Sequence, residues 1–347
     1  MEQRTFGDTD LVTSAIGFGT WEMSTTMYGD IDVDDASRAV NAAIDAGITL
    51  MDTAEVYGPY HSERLLAKAL GERRDEIVLV TKVGFRWEPK DPNADPVLTD
   101  NKGNDGTHDN IIKCAEGCLQ RLETDCIDLL LMHWPDHDTP IAETIGAFEE
   151  LKQAGKIRHY GVSNYSVAMM EEANRHGKIA TNQVGYHLYD QRMDAEVLPW
   201  CGANGVGFMG YGTLGFGLLT GAFSEETTFP EDDWRSDGNM FGVPQFQGEP
   251  LQNAVRATRR LAEFADGYGK SVAQLAIAWA LGNPAVTVSL VGMRNERELA
   301  ENIAAADWRL SDDERATIAA ILEEEGVPSH LDTPQLLGNP RRRRPAD

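Results

Sequence analysis

Lysine is scarce in this chain. The 347 residues contain nine Lys and 22 Arg against 56 acidic residues, which gives a formal net charge of −25. A surface this acidic argues against nucleic acid or an anionic membrane as a partner. It is compatible with a halophilic source and an acidic proteome, because high salt screens the repulsion between carboxylates.

Cysteines and long apolar runs are also few. The four cysteines include no C-x-x-C pair, and Cys114 and Cys118, four positions apart on a predicted helix, can pack together as inert thiols. Because nothing in their spacing indicates disulfides, we expect a reducing, cytoplasmic environment. No apolar run reaches the length of a membrane span, and residues 1–8 lack the apolar core of a signal peptide.

Apolar runs and helical periodicity alternate along the chain, as expected of a (β/α)8 barrel. The pattern predicts strands at 15–18, 48–52, 77–82, 127–132, 156–162, 179–184, 207–211 and 286–291. It predicts helices at 34–46, 61–70, 109–122, 141–153, 251–268, 271–281 and 307–324, with Ser271 and Ser311 as N-caps. Residues 4–14 alternate weakly around a Gly-Asp pair, which is typical of a β-hairpin.

Polar side chains stand at the carboxyl ends of three predicted strands. Asp52, Lys82 and His133 each follow an apolar run, and Tyr57 comes five residues after Asp52. In a barrel of parallel strands the carboxyl ends meet on one face, where such residues are typical of catalysis. A capping aspartate and a packing tyrosine would explain the first stretch taken alone, but not the repetition on three strands.

These four side chains are the components of a proton donor. A phenol has an ordinary pKa near 10, and an ammonium group within about 4–6 Å favours the phenolate and lowers that pKa. Asp52 would hold the Lys82 ammonium in place and keep it charged. His133 would hydrogen-bond a substrate oxygen and orient it.

Two further motifs accompany these residues, Gly17-Phe-Gly-Thr-Trp21 before them and Gly161-Val-Ser-Asn-Tyr165 after them. Together they resemble the aldo-keto reductase family over about residues 4–322. The resemblance implies an α/β fold, a (β/α)8 TIM barrel with an N-terminal β-hairpin and extra C-terminal helices. It further implies a single domain over residues 1–325, followed by a tail, 326–347, that we expect to be flexible.

The same resemblance implies an NAD(P)H-dependent oxidoreductase that reversibly reduces aldehyde or ketone carbonyls to alcohols. Tyr57 would be the proton donor, Asp52 and Lys82 would tune it, and His133 would orient the substrate. No metal is expected. A small carbonyl or alcohol is the expected partner, and the sequence leaves open whether the chain is a monomer or a homo-oligomer.

Cofactor contacts are also implied by the resemblance. Ser163, Asn164 and Gln183 would hold the nicotinamide carboxamide, and Tyr211 would stack on its ring. The full set of expected contacts is Gly19, Thr20, Trp21, Asp52, Ser163, Asn164, Gln183, Tyr211, Gly212, Leu214, Gly217, Gly292, Arg294, Glu298, Glu301 and Asn302. The family often has a basic residue where this chain has Ala222, so phosphate binding must depend on backbone amides.

The choice between NADP and NAD depends on two of these residues. Arg294 is placed to pair with the 2′-phosphate of NADPH, whereas Glu298 replaces the Gln or Arg common in the family and would repel that phosphate. An arginine–phosphate contact is the stronger of the two effects, so NADPH is the favoured cofactor and NAD is possible.

Substrate contacts are expected from Trp21, Tyr57, Trp87, His133 and Trp134. The irregular stretch 83–106 is either one wall of the substrate pocket or a passive insertion. The second long loop, 224–250, is either a clasp over the cofactor or surface decoration. Pro59-Tyr60-His61 departs from the family, which usually has a second glycine here, and should reshape the loop that carries Tyr57.

The sequence leaves two other functions open. One is a redox-sensing, cofactor-binding regulatory subunit that resembles the β subunits of voltage-gated potassium channels. The other is a barrel retained for structure or interaction, although the presence of Asp52, Tyr57, Lys82 and His133 argues against a loss of catalysis. The basic run 341–344 fits a disordered end better than an interaction motif.

Overall fold

Eight parallel strands close into a barrel in the computed structural model of the chain, which describes residues 1–24, 32–86, 103–231, 233–240 and 243–327. In barrel order the strands are β3 (Ile16–Gly19), β4 (Leu50–Asp52), β5 (Val78–Val83), β6 (Ile127–Met132), β7 (Ile157–Ser163), β8 (Thr181–Gly185), β9 (Gly207–Tyr211) and β12 (Val288–Gly292). The ring closes where Gly292 of β12 pairs with Gly19 of β3. The predicted TIM barrel is confirmed.

The barrel strands are buried on both faces, which explains why they read as short apolar runs. Every residue of β5 and β6 is buried. Their side chains alternate between two apolar clusters, with Val80 and Leu131 inside the barrel and Leu79 and Leu130 between the strands and the helices. Burial on both faces leaves the strand ends as the places where polar side chains reach solvent or a ligand.

The outer layer consists of helices that follow the strands. Within the described part of the chain they are α1 (Val33–Asp45), α2 (His61–Leu70), α3 (His108–Arg121), α4 (Ile141–Gln153), α5 (Val167–His176), α6 (Val197–Ala203), α7 (Gly248–Asp266), α8 (Val272–Leu281), α9 (Glu296–Ile303) and α10 (Asp312–Glu324). Ser271 and Ser311 both form capping boxes, as predicted. None of the helices described here has the length and apolarity needed to span a membrane.

A β-hairpin closes the amino-terminal end of the barrel. Strands β1 (Gln3–Thr5) and β2 (Val12–Ser14) pair in antiparallel register. Phe6 and Leu11, both buried, pack with the side chains that fill the barrel interior. With this floor closed, the carboxyl-terminal face is the end at which a site can form.

The structure adds elements that periodicity does not reveal. Helices α5 and α6 follow β7 and β8 and are not among the predicted helices. The last helix begins at Asp312, directly after its Ser311 cap, rather than at 307. Residues 224–250 contain a short 3₁₀ turn, Trp234–Asp237, and a two-residue pairing of β10 (Asn239–Met240) with β11 (Val243–Pro244).

Candidate active site

The Lys82 ammonium lies at the centre of the polar cluster on the carboxyl-terminal face. Its Nζ donates hydrogen bonds to Oδ2 of Asp52 at 2.6 Å, to the carbonyl oxygen of Thr53 at 2.9 Å and to the hydroxyl of Tyr57 at 3.2 Å. The three acceptors match the three donors of an ammonium group. The structure thus joins Asp52, Lys82 and Tyr57, which the sequence placed at or after the ends of β4 and β5.

Burial controls the electrostatics of the Lys82–Asp52 pair. The side chain of Lys82 is 0% exposed and that of Asp52 is 4% exposed. Burial raises the pKa of Asp52 and lowers the pKa of Lys82, and each partner opposes the shift of the other through its charge and their shared hydrogen bond. Neither group can lose its partner without leaving a buried polar group uncompensated.

The loop over residues 53–60, which we call the Tyr57 loop, is held from below. Tyr60 adopts the left-handed conformation, φ 64°, within the Pro59-Tyr60-His61 stretch. Its buried ring lies 4.0 Å from the guanidinium carbon of Arg121, which forms a buried 2.6 Å ion pair with Glu63. The cation–π contact offsets the strain of a non-glycine residue with positive φ. The packing of Tyr60 on Arg121 therefore helps to hold the Tyr57 loop in place.

His133 lies beside the ring of Tyr57. Its ring is 5.9 Å from the Tyr57 ring and 5.3 Å from the Phe85 ring, edge to face in both contacts, and it stacks with Trp134 at 6.4 Å. The backbone N–H of His133 donates to the carbonyl of Val83 at 2.9 Å. Position and packing place the imidazole next to the phenol, as the sequence indicated.

The side chains expected to hold a carboxamide form one hydrogen-bonded chain. The Tyr211 hydroxyl donates to Oδ1 of Asn164 at 2.9 Å, and Nδ2 of Asn164 donates to Oγ of Ser163 at 3.0 Å. The Ser163 hydroxyl donates to the Gln183 carbonyl at 2.8 Å, and Nε2 of Gln183 donates to Oδ1 of Asp52 at 2.8 Å. The sequence predicts each of these residues as a cofactor contact, but it does not predict the hydrogen bond that joins Gln183 to Asp52.

Asn164 has the left-handed conformation, φ 63°, at the end of β7. Asparagine tolerates this geometry better than most residues, and it aims the amide across the mouth of the barrel. Burial raises the pKa of the Tyr211 phenol, so its hydroxyl remains a donor to Asn164.

An aromatic wall, defined here as Trp21, Phe216 and Trp234, stands beside the Tyr57 loop. The three rings lie 5.6 to 6.0 Å apart, and Trp21 is 6.5 Å from Tyr57. Trp234 and Phe216 were missed in the sequence. The one feature of the sequence that could have indicated Trp234 is its position as a Trp within the polar segment 229–235. Because Trp234 packs on Trp21, this part of the second long loop folds over the barrel face and is more than surface decoration.

A glycine-rich turn follows β9. Gly212, Gly215, Gly217 and Gly221 all have positive φ, from 57° to 105°. A side chain at Gly217 would place its Cβ 2.9 Å from the Phe223 ring, so glycine is needed for both conformation and space. Leu214 lies partly exposed within the same turn.

Arg294 and Glu298 pair at the rim of the barrel. Nη2 of Arg294 donates to Oε1 of Glu298 at 2.8 Å, and the Arg294 backbone N–H donates to Oε2 at 2.9 Å. Burial works against ionisation of Glu298, but these hydrogen bonds and the guanidinium charge outweigh it and lower the pKa of that carboxyl. The carboxylate is therefore ionised at neutral pH and directly bonded to the guanidinium.

The remaining predicted contacts divide by exposure. Asn302 is buried, and its Nδ2 donates to the Gly292 carbonyl at 3.4 Å, whereas Glu301 is exposed. Thr20 is buried, and its hydroxyl has no hydrogen-bond partner among the described residues.

Trp87, a predicted substrate contact, lies outside the described residues. In the part of the chain that the structure describes, no cluster of His, Cys, Asp or Glu could hold a metal ion.

The site joins a buried Asp–Lys pair to a partly buried tyrosine and a histidine at the carboxyl face of a parallel barrel. The sequence model of the Aldo/keto reductase family matches residues 15–323. The chain belongs to the aldo-keto reductase family and is an oxidoreductase.

Three relatives show the degree of sequence similarity. The chain is 37% identical to the aldo-keto reductase YhdN of Bacillus subtilis, over 93% of this chain and 94% of the relative. It is 31% identical to the NADH-specific methylglyoxal reductase of Escherichia coli, over 90% and 95%. It is 29% identical to a probable voltage-gated potassium channel β subunit of Oryza sativa subsp. japonica, over 88% and 92%.

Solved structures agree with the fold. The glycerol dehydrogenase AKR11B4 of Gluconobacter oxydans is 33% identical, with a TM-score of 0.84 over 95% of this chain and 98% of that chain. An aldo/keto reductase of Klebsiella pneumoniae in complex with NADP and acetate is 28% identical, with a TM-score of 0.69 over 93% and 96%. The family uses nicotinamide cofactors.

Proposed function

We propose that this oxidoreductase reversibly reduces aldehyde or ketone carbonyls to alcohols, with Tyr57 as the proton donor. The observation that carries the proposal is the 3.2 Å hydrogen bond from the Lys82 ammonium to the Tyr57 hydroxyl, beside His133. The ammonium stabilises the phenolate that remains after proton transfer, and it is positioned before the reaction begins.

Each residue then has a distinct part in the proposed step. When bound, a reduced nicotinamide supplies the hydride for the carbonyl carbon. Tyr57 gives its proton to the carbonyl oxygen, while Lys82, held by Asp52, compensates the charge left on the phenol. His133 orients that oxygen by hydrogen bonding. In the alcohol-oxidising direction the same phenolate accepts the proton, so the arrangement serves both directions.

The proposed cofactor contacts fit a dinucleotide in their chemistry. The amide and hydroxyl groups of Asn164, Ser163 and Gln183 can bond a carboxamide, which offers both a donor and an acceptor. The buried Thr20 hydroxyl, which has no hydrogen-bond partner among the described residues, is suited to a bound polar group. With no cation at Ala222, the glycine-rich turn after β9 would have to hold the pyrophosphate through backbone amides. The amides of Gly215 and Gly217 already donate to the carbonyls of Gly212 and Leu214, so the other amides of the turn would make these contacts.

We further propose that NADPH is preferred to NADH by a small margin. Arg294 supplies the guanidinium for a 2′-phosphate. Glu298 already accepts hydrogen bonds from the backbone N–H, Nε and Nη2 of Arg294, so a phosphate must displace this carboxylate or share the guanidinium with it. The relatives support neither cofactor alone, since one is described as NADH-specific and another was solved with NADP.

The test is a panel of small carbonyls and alcohols, including methylglyoxal and glycerol, assayed with NADPH and NADH. Oxidation or reduction of the nicotinamide is followed by its near-ultraviolet absorbance. We expect turnover in both directions with at least one pair. Absence of turnover with every substrate, in a protein that binds the dinucleotide, would contradict the proposed reaction.

A second candidate function is a redox-sensing regulatory subunit. The 29% identity to a probable potassium channel β subunit favours it. Such a subunit should release oxidised cofactor slowly and cycle poorly, whereas an enzyme should show sustained steady-state turnover. One slow turnover followed by arrest would favour the sensor.

A further inference from the structure

The carboxyl group of Glu22 packs against Gly292, the last residue of β12. Glu22 lies in the short turn Trp21–Met23, directly after β3. A Cβ built at Gly292 would lie 2.0 Å from Cδ of Glu22 and 2.1 Å from its Oε1. The space beside the last β12 residue, where Gly292 pairs with Gly19, is thus filled by a carboxyl group.

The surroundings of this carboxyl disfavour its charge. Burial raises the pKa of Glu22 to about 7, against the opposing effects of its own backbone N–H and the Arg294 charge. The acidic groups that act on it are Glu298 on α9 and Asp52 on β4, and both repel a second negative charge.

No cation lies within ion-pair distance of the Glu22 carboxyl in the described residues. Helix α2 packs against the same turn. The cation Arg121, which contacts this helix, is already paired with its Glu63. A protonated Glu22 is therefore accessible near neutral pH without any change in the fold.

We propose that Glu22 is a cofactor-binding residue that couples dinucleotide binding to the uptake of one proton at its carboxyl. The inference rests on the proposed function, in which Arg294 faces the 2′-phosphate and the turn after β9 holds the pyrophosphate. Thr213 of that turn donates to the Leu290 carbonyl at 2.9 Å, so the turn lies beside the end of β12, where Gly292 and Glu22 meet. An anionic phosphate and an ionised Glu22 cannot share the Gly292 surface without repulsion, whereas a protonated carboxyl can donate a hydrogen bond to a phosphate oxygen.

The sign of the effect follows from linkage. Because the complex holds the proton more tightly than the free protein, affinity is greatest below the pKa of the free carboxyl and falls as pH rises through about 7. The loss approaches tenfold for each further pH unit. Both NADH and NADPH carry the pyrophosphate, so both should lose affinity, unlike the effect of Glu298, which acts on the 2′-phosphate alone.

The experiment compares the parent with Glu22→Gln and with the control Glu72→Gln, which removes an equal charge from an exposed turn. Dissociation constants for NADH and NADPH are measured by tryptophan fluorescence at about pH 6 and about pH 8.5. Calorimetry in two buffers of different ionisation enthalpy counts the protons taken up.

We expect the parent and Glu72→Gln to lose about tenfold or more in affinity at the higher pH and to take up close to one proton there. Glu22→Gln should bind with little pH dependence and without uptake. Equal pH dependence in parent and Glu22→Gln, or no proton uptake by the parent, would overturn the proposal. Failure of the parent to bind either dinucleotide at any pH would instead overturn the proposed function and this inference with it.

Thermal stability measured without cofactor distinguishes a failure of the Glu22 proposal from a failure of the proposed function. A carboxyl whose pKa is raised on folding from 4.5 to about 7 makes the parent lose stability relative to Glu22→Gln as pH rises across that window. The difference between the two thermal midpoints should therefore grow from about pH 4.5 to about pH 7 and then level off. A constant difference would show that the carboxyl lacks the environment on which the proposal depends.

Discussion

Two carboxylate–cation pairs stand on the same face of the barrel, and they differ mainly in burial. Lys82 and Asp52 meet at 2.6 Å with side chains 0% and 4% exposed. Arg294 and Glu298 meet at 2.8 Å with side chains 52% and 22% exposed. The two pairs have similar contact distances, but their interaction energies differ because solvent screens the charges of the second pair and not those of the first.

This difference in burial indicates that the two pairs have different roles. A buried pair costs desolvation energy that the attraction between its members only partly repays, so we attribute its presence to chemistry and not to stability. An exposed pair is worth only about 0.2–1 kcal/mol, so a competing anion can take over its cation. The first pair is a fixed part of the proposed reaction, and the second adjusts which cofactor binds.

The largest effect is expected from breaking the buried pair. Lys82→Met should leave Asp52 as an uncompensated buried charge and destabilise the fold by about 3–5 kcal/mol. It should also lower turnover at least ~10²-fold, because the phenol loses its ammonium neighbour. Urea denaturation and steady-state kinetics measure the two effects.

A second variant separates stability from chemistry. Lys82→Met combined with Asp52→Asn removes both charges and should recover much of the lost free energy of unfolding while activity stays low. Full stability of Lys82→Met alone would contradict the view that the two charges depend on each other.

An intermediate effect is expected from salt, which acts on exposed charges only. With a formal charge of −25, repulsion extends over a Debye length of about 10 Å at 0.1 M salt and about 3 Å at 1 M. The thermal midpoint should rise by a few degrees between those concentrations of sodium chloride. A flat or falling curve would refute salt adaptation. Sulfate is unsuitable because it also strengthens apolar burial.

The smallest effect is expected at the exposed pair. Glu298→Gln should lower the KM for NADPH by about two- to fivefold, the equivalent of an exposed ion pair, and leave the KM for NADH nearly unchanged. Steady-state kinetics with each cofactor measure this. If the parent already works better with NADH, Glu298 outweighs Arg294 and the proposed cofactor preference is wrong.

Much of the barrel could be predicted because its strands are buried on both faces and end in polar residues. The predicted bounds of α2, α4, β6 and β9 match the structure. The meeting of Asp52, Lys82 and His133 follows from parallel strands alone, since their carboxyl ends share one face.

Contacts made by turns and loops could not be predicted in this way. Neither the packing of Trp234 on Trp21 nor the contact of Glu22 with Gly292 follows from any periodic pattern, because each joins residues distant in sequence through irregular backbone. The departure at Tyr60 was visible in the sequence, but its left-handed backbone and its stacking on Arg121 depend on three-dimensional packing.

The central claim is that Tyr57, held by the buried pair, gives the proton. Its most direct test is single-turnover hydride transfer by Tyr57→Phe loaded with reduced cofactor, with Tyr268→Phe, which removes an exposed phenol, as the matched control. We predict a rate lower by about 10²–10⁴-fold with the dissociation constant of the cofactor nearly unchanged, and no effect in the control. A rate within a few-fold of the parent would show that another group is the acid.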